Sequence, residues 1–244
     1  MAASSCGGGV EPPSGPPDAA RPAFYALGPG GWRDYVTLLH VPYTAWQLAY
    51  VVVGGCLVAR VAWGRLGLTV LAFALAMGVG AHALDELQGR PLRTTIPSRV
   101  LVGLAIGSVA AASAIGIAVA IQTTLWLMPL VALGAFLVPA YNLELLSGRV
   151  HTDLGFALAW GAFPVVTAYV AQAETLRAEA VLAACWATLL SLAQRRLSTE
   201  VRRIRRGVDV SADERRAAEA PEAALKLLAA ATVAIAAALV ALRL

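Results

Sequence analysis

The stretch "LTVLAFALAMGVGAHALDELQGRPLR", residues 68–93, changes abruptly from an apolar run to a cluster of ionisable side chains. The apolar part belongs to a predicted helix at 66–86, and about 20 apolar residues are enough to cross a hydrocarbon core. The cluster that follows contains a histidine, two carboxylates and two arginines. The stretch therefore predicts a membrane helix that ends in a polar site.

The composition extends this interpretation to the whole chain. Of its 244 residues, 59% are hydrophobic and only 14% are charged, whereas a soluble domain carries about 25% charged residues. The N-terminal 30 residues lack the basic start and apolar core of a signal peptide, so we expect no cleavable signal. The fold class that follows is all-α, a polytopic membrane helix bundle of about seven transmembrane helices. They are predicted at 38–59, 66–86, 100–120, 124–144, 154–173, 178–194 and 223–242.

Two segments differ from this pattern. Residues 1–31 are rich in Gly, Pro, Ser and Ala, and we expect a disordered tail before a helical domain at 32–244. Residues 195–221 are too charged to span the membrane. Their apolar positions, Leu197, Val201, Ile204 and Val208, predict an amphipathic helix on anionic lipid headgroups. The net charge of +4 is attributed to such loops, and no nucleic-acid partner is expected.

The arginines also predict the orientation. Lys and Arg favour cytoplasmic loops, and the loops after the second, fourth and sixth helices are the more basic ones. These loops contain Arg90, Arg93, Arg99, Arg149 and the basic run at 194–207, against Arg60, Arg65 and Arg177 on the other side. We therefore expect a cytoplasmic N-terminus and a multi-pass protein of the plasma membrane.

The polar residues gather on that predicted cytoplasmic side. His82, Asp85 and Glu86 are three and four residues apart and should share one helix face. A second polar group follows the fourth helix: Tyr141, Asn142, Glu144, Arg149, His151 and Asp153. Carboxylates at a helix C-terminus oppose the helix dipole, which Arg90, Arg93 or a metal ion would relieve. The pattern predicts a polar cavity at the membrane boundary.

The segments "AHALDELQGRPLRTTIP" (81–97) and "AYNLELLSGRVHTDLGFALAWGAFPVVTAYVAQ" (140–172) resemble two motifs of the UbiA-type intramembrane prenyltransferases. The first is similar to that family's aspartate-rich stretch and the basic loop after it. The second is similar to its tyrosine-containing loop and the Gly- and Pro-containing helix that follows. The chain departs from the family at Ala81, His82 and Gly89, and Glu200 is the only carboxylate in the "AQRRLSTEVRRIRRG" that follows helix six.

The resemblance implies transfer of an isoprenoid chain from a prenyl diphosphate to a lipid-soluble acceptor. It implies catalytic roles for Asp85, Glu86 and Tyr141, with a Mg²⁺ ion on Asp85 and Glu86. The substrate-binding residues that it implies are His82, Arg90, Arg93, Asn142, Arg149 and Asp153. The expected partners are a prenyl diphosphate or another isoprenoid lipid, and membrane lipids. Arginines can also bind a diphosphate directly, and the candidates are Arg90, Arg93, Arg149, Arg195 and Arg196.

Two alternatives stay open at the level of sequence. The missing aspartates favour a non-catalytic relative that binds an isoprenoid or another lipid, or a partner protein. The mixture of imidazole and carboxylate suits zinc or iron and favours a different metal-dependent membrane enzyme. Its ligands would be His82, Asp85, Glu86, Glu144 and His151.

Overall fold

The structure is a computed structural model that describes residues 21–207 and 210–244. Within these residues the secondary structure is helical, and no strand is present. The helices are α1 Trp32–Leu38, α2 Val41–Cys56, α3 Trp63–Leu87, α4 Ser98–Gln122, α5 Leu127–Asn142, α6 Asp153–Ala173, α7 Ala178–Arg206 and α8 Ala212–Arg243. A short 3₁₀ turn, Leu146–Gly148, lies between α5 and α6.

The apolar helices make this a helical membrane protein, as the sequence predicts. In the described part of the chain, α3, α4, α6 and α8 are long and apolar enough to cross a membrane. The pair α1 and α2 is bent by 45° and would make a fifth span. By length and composition, the described helices therefore provide up to five spans, and not the seven that the sequence predicts. The reason is that α5 has only 16 residues and the C-terminal half of α7 is strongly charged.

Helix α2 packs against α6 and α8 in the middle of the bundle, and its Trp46, Tyr50 and Val51 are fully buried. Glycine permits the closest helix contact. A Cβ atom on Gly54 would lie 2.3 Å from the backbone oxygen of Val165 in α6. Gly54 therefore allows α2 and α6, which carry polar residues at their ends, to lie in close contact.

Helices α3 and α6 each contain a π-helical segment, Ala74–Ala81 in α3 and Leu158–Ala162 in α6. Such segments are rare, occur mostly as single turns inside α-helices, and are frequent at functional sites. In both helices the π segment lies within a few residues of the polar end.

Residues 21–31 correct the prediction of a disordered tail for this part of the chain. Ala23 and Ala26 are buried, and the amide of Leu27 donates to Thr37 Oγ1 at 2.9 Å. The aromatic rings of Phe24 and Tyr25 give this short segment enough apolar surface to dock. Residues 1–20 of the predicted tail lie outside the described part of the chain.

The basic segment at 195–221 also differs from its prediction. Helix α7 continues to Arg206, and α8 begins at a capping box made by Ser211 and Glu214. Val201 and Ile204 are buried inside the protein instead of lying against lipid. Val208, predicted for the same apolar face, lies outside the described residues. The segment therefore forms the ends of two packed helices.

Candidate functional site

A cavity of about 310 Å³ lies where the N-terminal segment, the start of α2, the end of α3, the α5–α6 loop and the end of α7 meet. We call it the basic cavity. It is lined by Pro22, Ala23, Phe24, Tyr25, His40, Tyr43, Asp85, Gln88, Pro91, Asn142, Glu144, His151, Arg195, Ser198, Val201, Arg202, Arg205 and Arg206. Two of these are carboxylates and four are arginines, so positive charge predominates.

All four arginines of the cavity lie in the C-terminal half of α7. Arg195, Arg202 and Arg206 are separated by seven and four residues, which places them on one face of α7. Burial lowers the pKa of Arg202, and the charges of Arg195 and Arg206 lower it further. A bound anion would offset both effects.

Two of the arginines are fixed by carboxylates. Arg205 Nε donates to Glu222 Oε2 on α8 at 2.7 Å. Arg195 Nε donates to Asp153 Oδ1 at 3.3 Å. Arg206 differs, because its buried Nε has no hydrogen-bond partner among the described residues. Buried polar atoms are nearly always paired, so a lone buried guanidinium nitrogen indicates a missing partner.

His151 links the α5–α6 loop to this arginine face. Its Nδ1 lies 3.0 Å from the carbonyl oxygen of Tyr141, and its Nε2 lies 3.3 Å from Arg195 Nη2. The carbonyl can only accept and the guanidinium can only donate. The neighbours therefore assign the proton to Nδ1, which leaves Nε2 as the acceptor.

His40 is another residue of the cavity wall. It sits at the bend between α1 and α2 in a left-handed conformation, with φ 46°. Its ring stacks on that of His82 at 3.9 Å between centroids, and His82 Nδ1 lies 3.1 Å from the carbonyl oxygen of Gly78. The Nε2 atom of His40 is buried without a partner among the described residues. This is a second group at the cavity that could bind a ligand.

Tyr25 covers the cavity from the N-terminal segment. Its ring lies 5.1 Å from that of His40 and 5.5 Å from that of Tyr43. Burial raises the pKa of Tyr25, and the nearby Tyr43 raises it further, so its hydroxyl stays protonated at neutral pH. Tyr25 therefore brings a neutral hydrogen-bonding group to the arginine face.

The predicted site residues divide into two groups. Asp85, Asn142, Glu144 and His151 line the basic cavity, and Asp153 reaches it through Arg195. Tyr141 lies just behind it, stacked on His151 at 4.5 Å, and its buried hydroxyl has no partner among the described residues. His82 is placed behind His40 instead of on the cavity wall.

Glu86 does not line the cavity, although we predicted that it shares a face with Asp85. It is fully buried and accepts hydrogen bonds from the amides of Leu92 and Thr94, both at 2.9 Å, and from the Thr94 hydroxyl at 2.8 Å. Consecutive helix residues point about 100° apart. Asp85 and Glu86 therefore face different surroundings.

Four of the five predicted arginines lie away from the cavity wall. Arg90 donates to the Ile96 carbonyl and, at 2.8 Å, to the Ser98 hydroxyl, so it supports the α3–α4 loop. Arg93, Arg149 and Arg196 are exposed and do not line the cavity. The α3–α4 loop thus uses its polar residues mainly for its own conformation.

The donors present do not fit a magnesium site. Magnesium requires near-octahedral oxygen coordination, and Glu86 is occupied by the loop while Asp85 faces arginines. Across residues 21–207 and 210–244, no group of three or more His, Cys, Asp or Glu side chains could hold a metal ion. The residues predicted as zinc or iron ligands are likewise not brought together into a metal site. The function proposed below therefore includes no step at a metal ion.

A second, apolar space lies inside the bundle. This apolar cleft has a volume of about 90 Å³ and lies between α3, α4, α5 and α6. Its wall includes Met77, Val109, Val138, Trp160 and Thr167. Trp160 packs edge-on against Tyr141 at 5.7 Å between centroids. Tyr141 and Trp160 therefore separate the apolar cleft from the basic cavity.

No family model, curated protein or solved structure matches the chain.

Proposed function

We propose that this protein binds a lipid diphosphate, an isoprenoid diphosphate by the resemblance to the UbiA-type enzymes, with the diphosphate in the basic cavity. The observation that carries the proposal is the convergence of Arg195, Arg202 and Arg206 on one cavity at the end of apolar helices. A guanidinium is planar and can donate two parallel hydrogen bonds to phosphate oxygens.

Arginines would take the place that metal ions have in the UbiA-type family. Arg206 Nε and His40 Nε2 are buried without a partner among the described residues, and phosphate oxygens would supply one. The isoprenoid chain would extend from the cavity into the membrane region. Binding on this account needs no magnesium.

Chain transfer is the second candidate, and the position of Asp85 favours it. Asp85 lies in the same cavity as the arginines. The arginines would stabilise the charge that develops on the diphosphate as the allylic C–O bond breaks. The allylic carbon would bond to a nucleophilic atom of the acceptor, pyrophosphate would leave, and Asp85 would take up the proton that this acceptor atom loses. Release of pyrophosphate from geranylgeranyl diphosphate together with appearance of a prenylated membrane lipid would support transfer, whereas release of pyrophosphate with geranylgeraniol would indicate hydrolysis.

The topology belongs to the same proposal. We propose that α5 and α7 also cross, which makes seven crossings with the N-terminus in the cytoplasm of a plasma-membrane protein. The basic loops then lie inside, in line with the preference of Arg for cytoplasmic loops. The basic cavity opens toward the cytoplasm, where water-soluble and amphiphilic diphosphates are found.

Thermal unfolding of the purified protein in detergent tests the binding. A ligand that binds only the folded protein raises its melting temperature. We expect geranylgeranyl diphosphate to raise the melting temperature equally in EDTA and in magnesium. Arg202→Gln should weaken binding about tenfold or more, since a hydrogen bond to a charged group contributes about 1.5–3 kcal/mol.

Arg203→Gln is the matched control. Arg203 is the next residue on α7, but it is exposed and pairs with Glu200 at 2.7 Å instead of lining the cavity. Its binding should equal that of the wild-type protein. Equal binding by the two variants, or stabilisation that requires magnesium and is lost in Asp85→Asn, would contradict the proposal.

A further inference from the structure

Thr167 is an unusual residue in the wall of the apolar cleft. It lies on α6 and is buried, and its hydroxyl has no hydrogen-bond partner among the described residues. The other two hydroxyls of the wall are satisfied: Thr69 donates to the Arg65 carbonyl and Ser113 to the Val109 carbonyl, both at 2.8 Å. An unpaired hydroxyl among apolar groups costs free energy. A molecule bound in the cleft could supply the hydrogen-bond partner that Thr167 lacks.

The shape of the cleft limits what that partner can be. Along α6 the cleft runs from Ala159 to Ala171, which is about 18 Å at 1.5 Å per residue. Small residues such as Ala112 and Gly134 keep it open, and its wall contains no charged side chain. A slender, neutral molecule fits this space, and an ionised one does not.

We propose that the apolar cleft binds a neutral, lipid-soluble molecule with one hydroxyl or carbonyl oxygen, which hydrogen-bonds to the Thr167 hydroxyl. A pure hydrocarbon chain would fill the cleft but leave Thr167 unpaired. The Thr167 hydroxyl can donate to a carbonyl or pair with another hydroxyl. This site is distinct from the basic cavity, because the Tyr141 and Trp160 rings lie between them.

Binding of three probes to the detergent-purified protein tests this proposal. Phytol carries a hydroxyl, a short-chain menaquinone carries carbonyls, and squalene has no oxygen. We expect phytol or menaquinone to bind more tightly than squalene, and the stronger of the two identifies the oxygen. Thr167→Val should weaken binding of that probe about three- to tenfold, as for loss of one neutral hydrogen bond, and Thr167→Ser should retain it.

The valine variant also gives a measurement without ligand. Valine has the shape of threonine but no hydroxyl, so Thr167→Val should melt at a higher temperature than the wild-type protein. The proposal is overturned if no probe binds, if squalene binds as tightly as the others, or if Thr167→Val binds as the wild type does. Arg202→Gln should leave this binding unchanged, so failure here and failure of the diphosphate proposal are distinguishable.

Discussion

Asp85 and Glu86 are neighbours in sequence but have different surroundings in the structure. Glu86 organises the α3–α4 loop through three hydrogen bonds from Leu92 and Thr94. Asp85 lines the basic cavity and faces arginines. A carboxylate that accepts several backbone hydrogen bonds stabilises the loop that it closes. Glu86 is therefore a structural residue, and Asp85 is the carboxylate that a ligand in the cavity would meet.

Glu86→Gln tests this assignment. The amide group of glutamine would place a donor against the amide or hydroxyl of Leu92 or Thr94, so we expect unfolding to become easier by about 2–3 kcal/mol. Reversible unfolding in mixed detergent micelles measures the change. Glu219→Gln, at an exposed position on α8, should change stability by less than about 0.5 kcal/mol. A Glu86→Gln protein of unchanged stability that loses magnesium-dependent ligand binding would instead identify Glu86 as a metal ligand.

The sequence was sufficient to find part of the lining of the basic cavity. The polar cluster pointed to Asp85, Asn142 and His151, because ionisable residues at membrane depth are costly and mark cavities. It did not reveal Tyr25 and His40, because the Gly- and Pro-rich composition around Tyr25 indicates disorder and a lone histidine at a helix end carries little information. The spacing of Arg195, Arg202 and Arg206 was a usable signal for one helix face, but it does not say whether that face meets lipid or protein.

Helix α7 combines two environments. Its N-terminal half is apolar and packs against α6, where a Cβ on Gly161 would lie 2.7 Å from the Ala187 carbonyl oxygen. Its C-terminal half carries the arginine face of the basic cavity. The helix positions were well predicted, because apolar runs of about 20 residues are a strong signal. That α7 crosses the membrane is a proposal and not a direct consequence of its length, because its apolar part, residues 178–194, is only about 25 Å long.

Cysteine labelling tests whether α7 crosses. In a cysteine-free background, Arg177→Cys reports the loop before α7 and Arg203→Cys reports its basic end; both positions are exposed. With a membrane-impermeant maleimide, Arg177→Cys should react in intact cells, and Arg203→Cys should react only after permeabilisation. Equal labelling of the two positions in intact cells would place both ends of α7 on one side and contradict the crossing.

The whole molecule places a basic cavity and an apolar cleft end to end inside one helical bundle. Helices α3 and α6 contribute to both spaces or to the wall between them, and each has a π-helical segment close to that wall. The hydrophobic pattern of the sequence predicts the bundle. It does not predict the two spaces, because they depend on which helix faces meet and on close approaches at glycines such as Gly54.

A structure of the protein with geranylgeranyl diphosphate, prepared in EDTA, would show where the diphosphate binds and whether a metal ion is needed. We predict that the diphosphate lies in the basic cavity, with its oxygens within hydrogen-bond distance of Arg202 and Arg206, and that no metal ion bridges it to the protein. A diphosphate bound elsewhere on the molecule would contradict the account. So would binding that appears only with magnesium, through an ion held by Asp85 and Glu86.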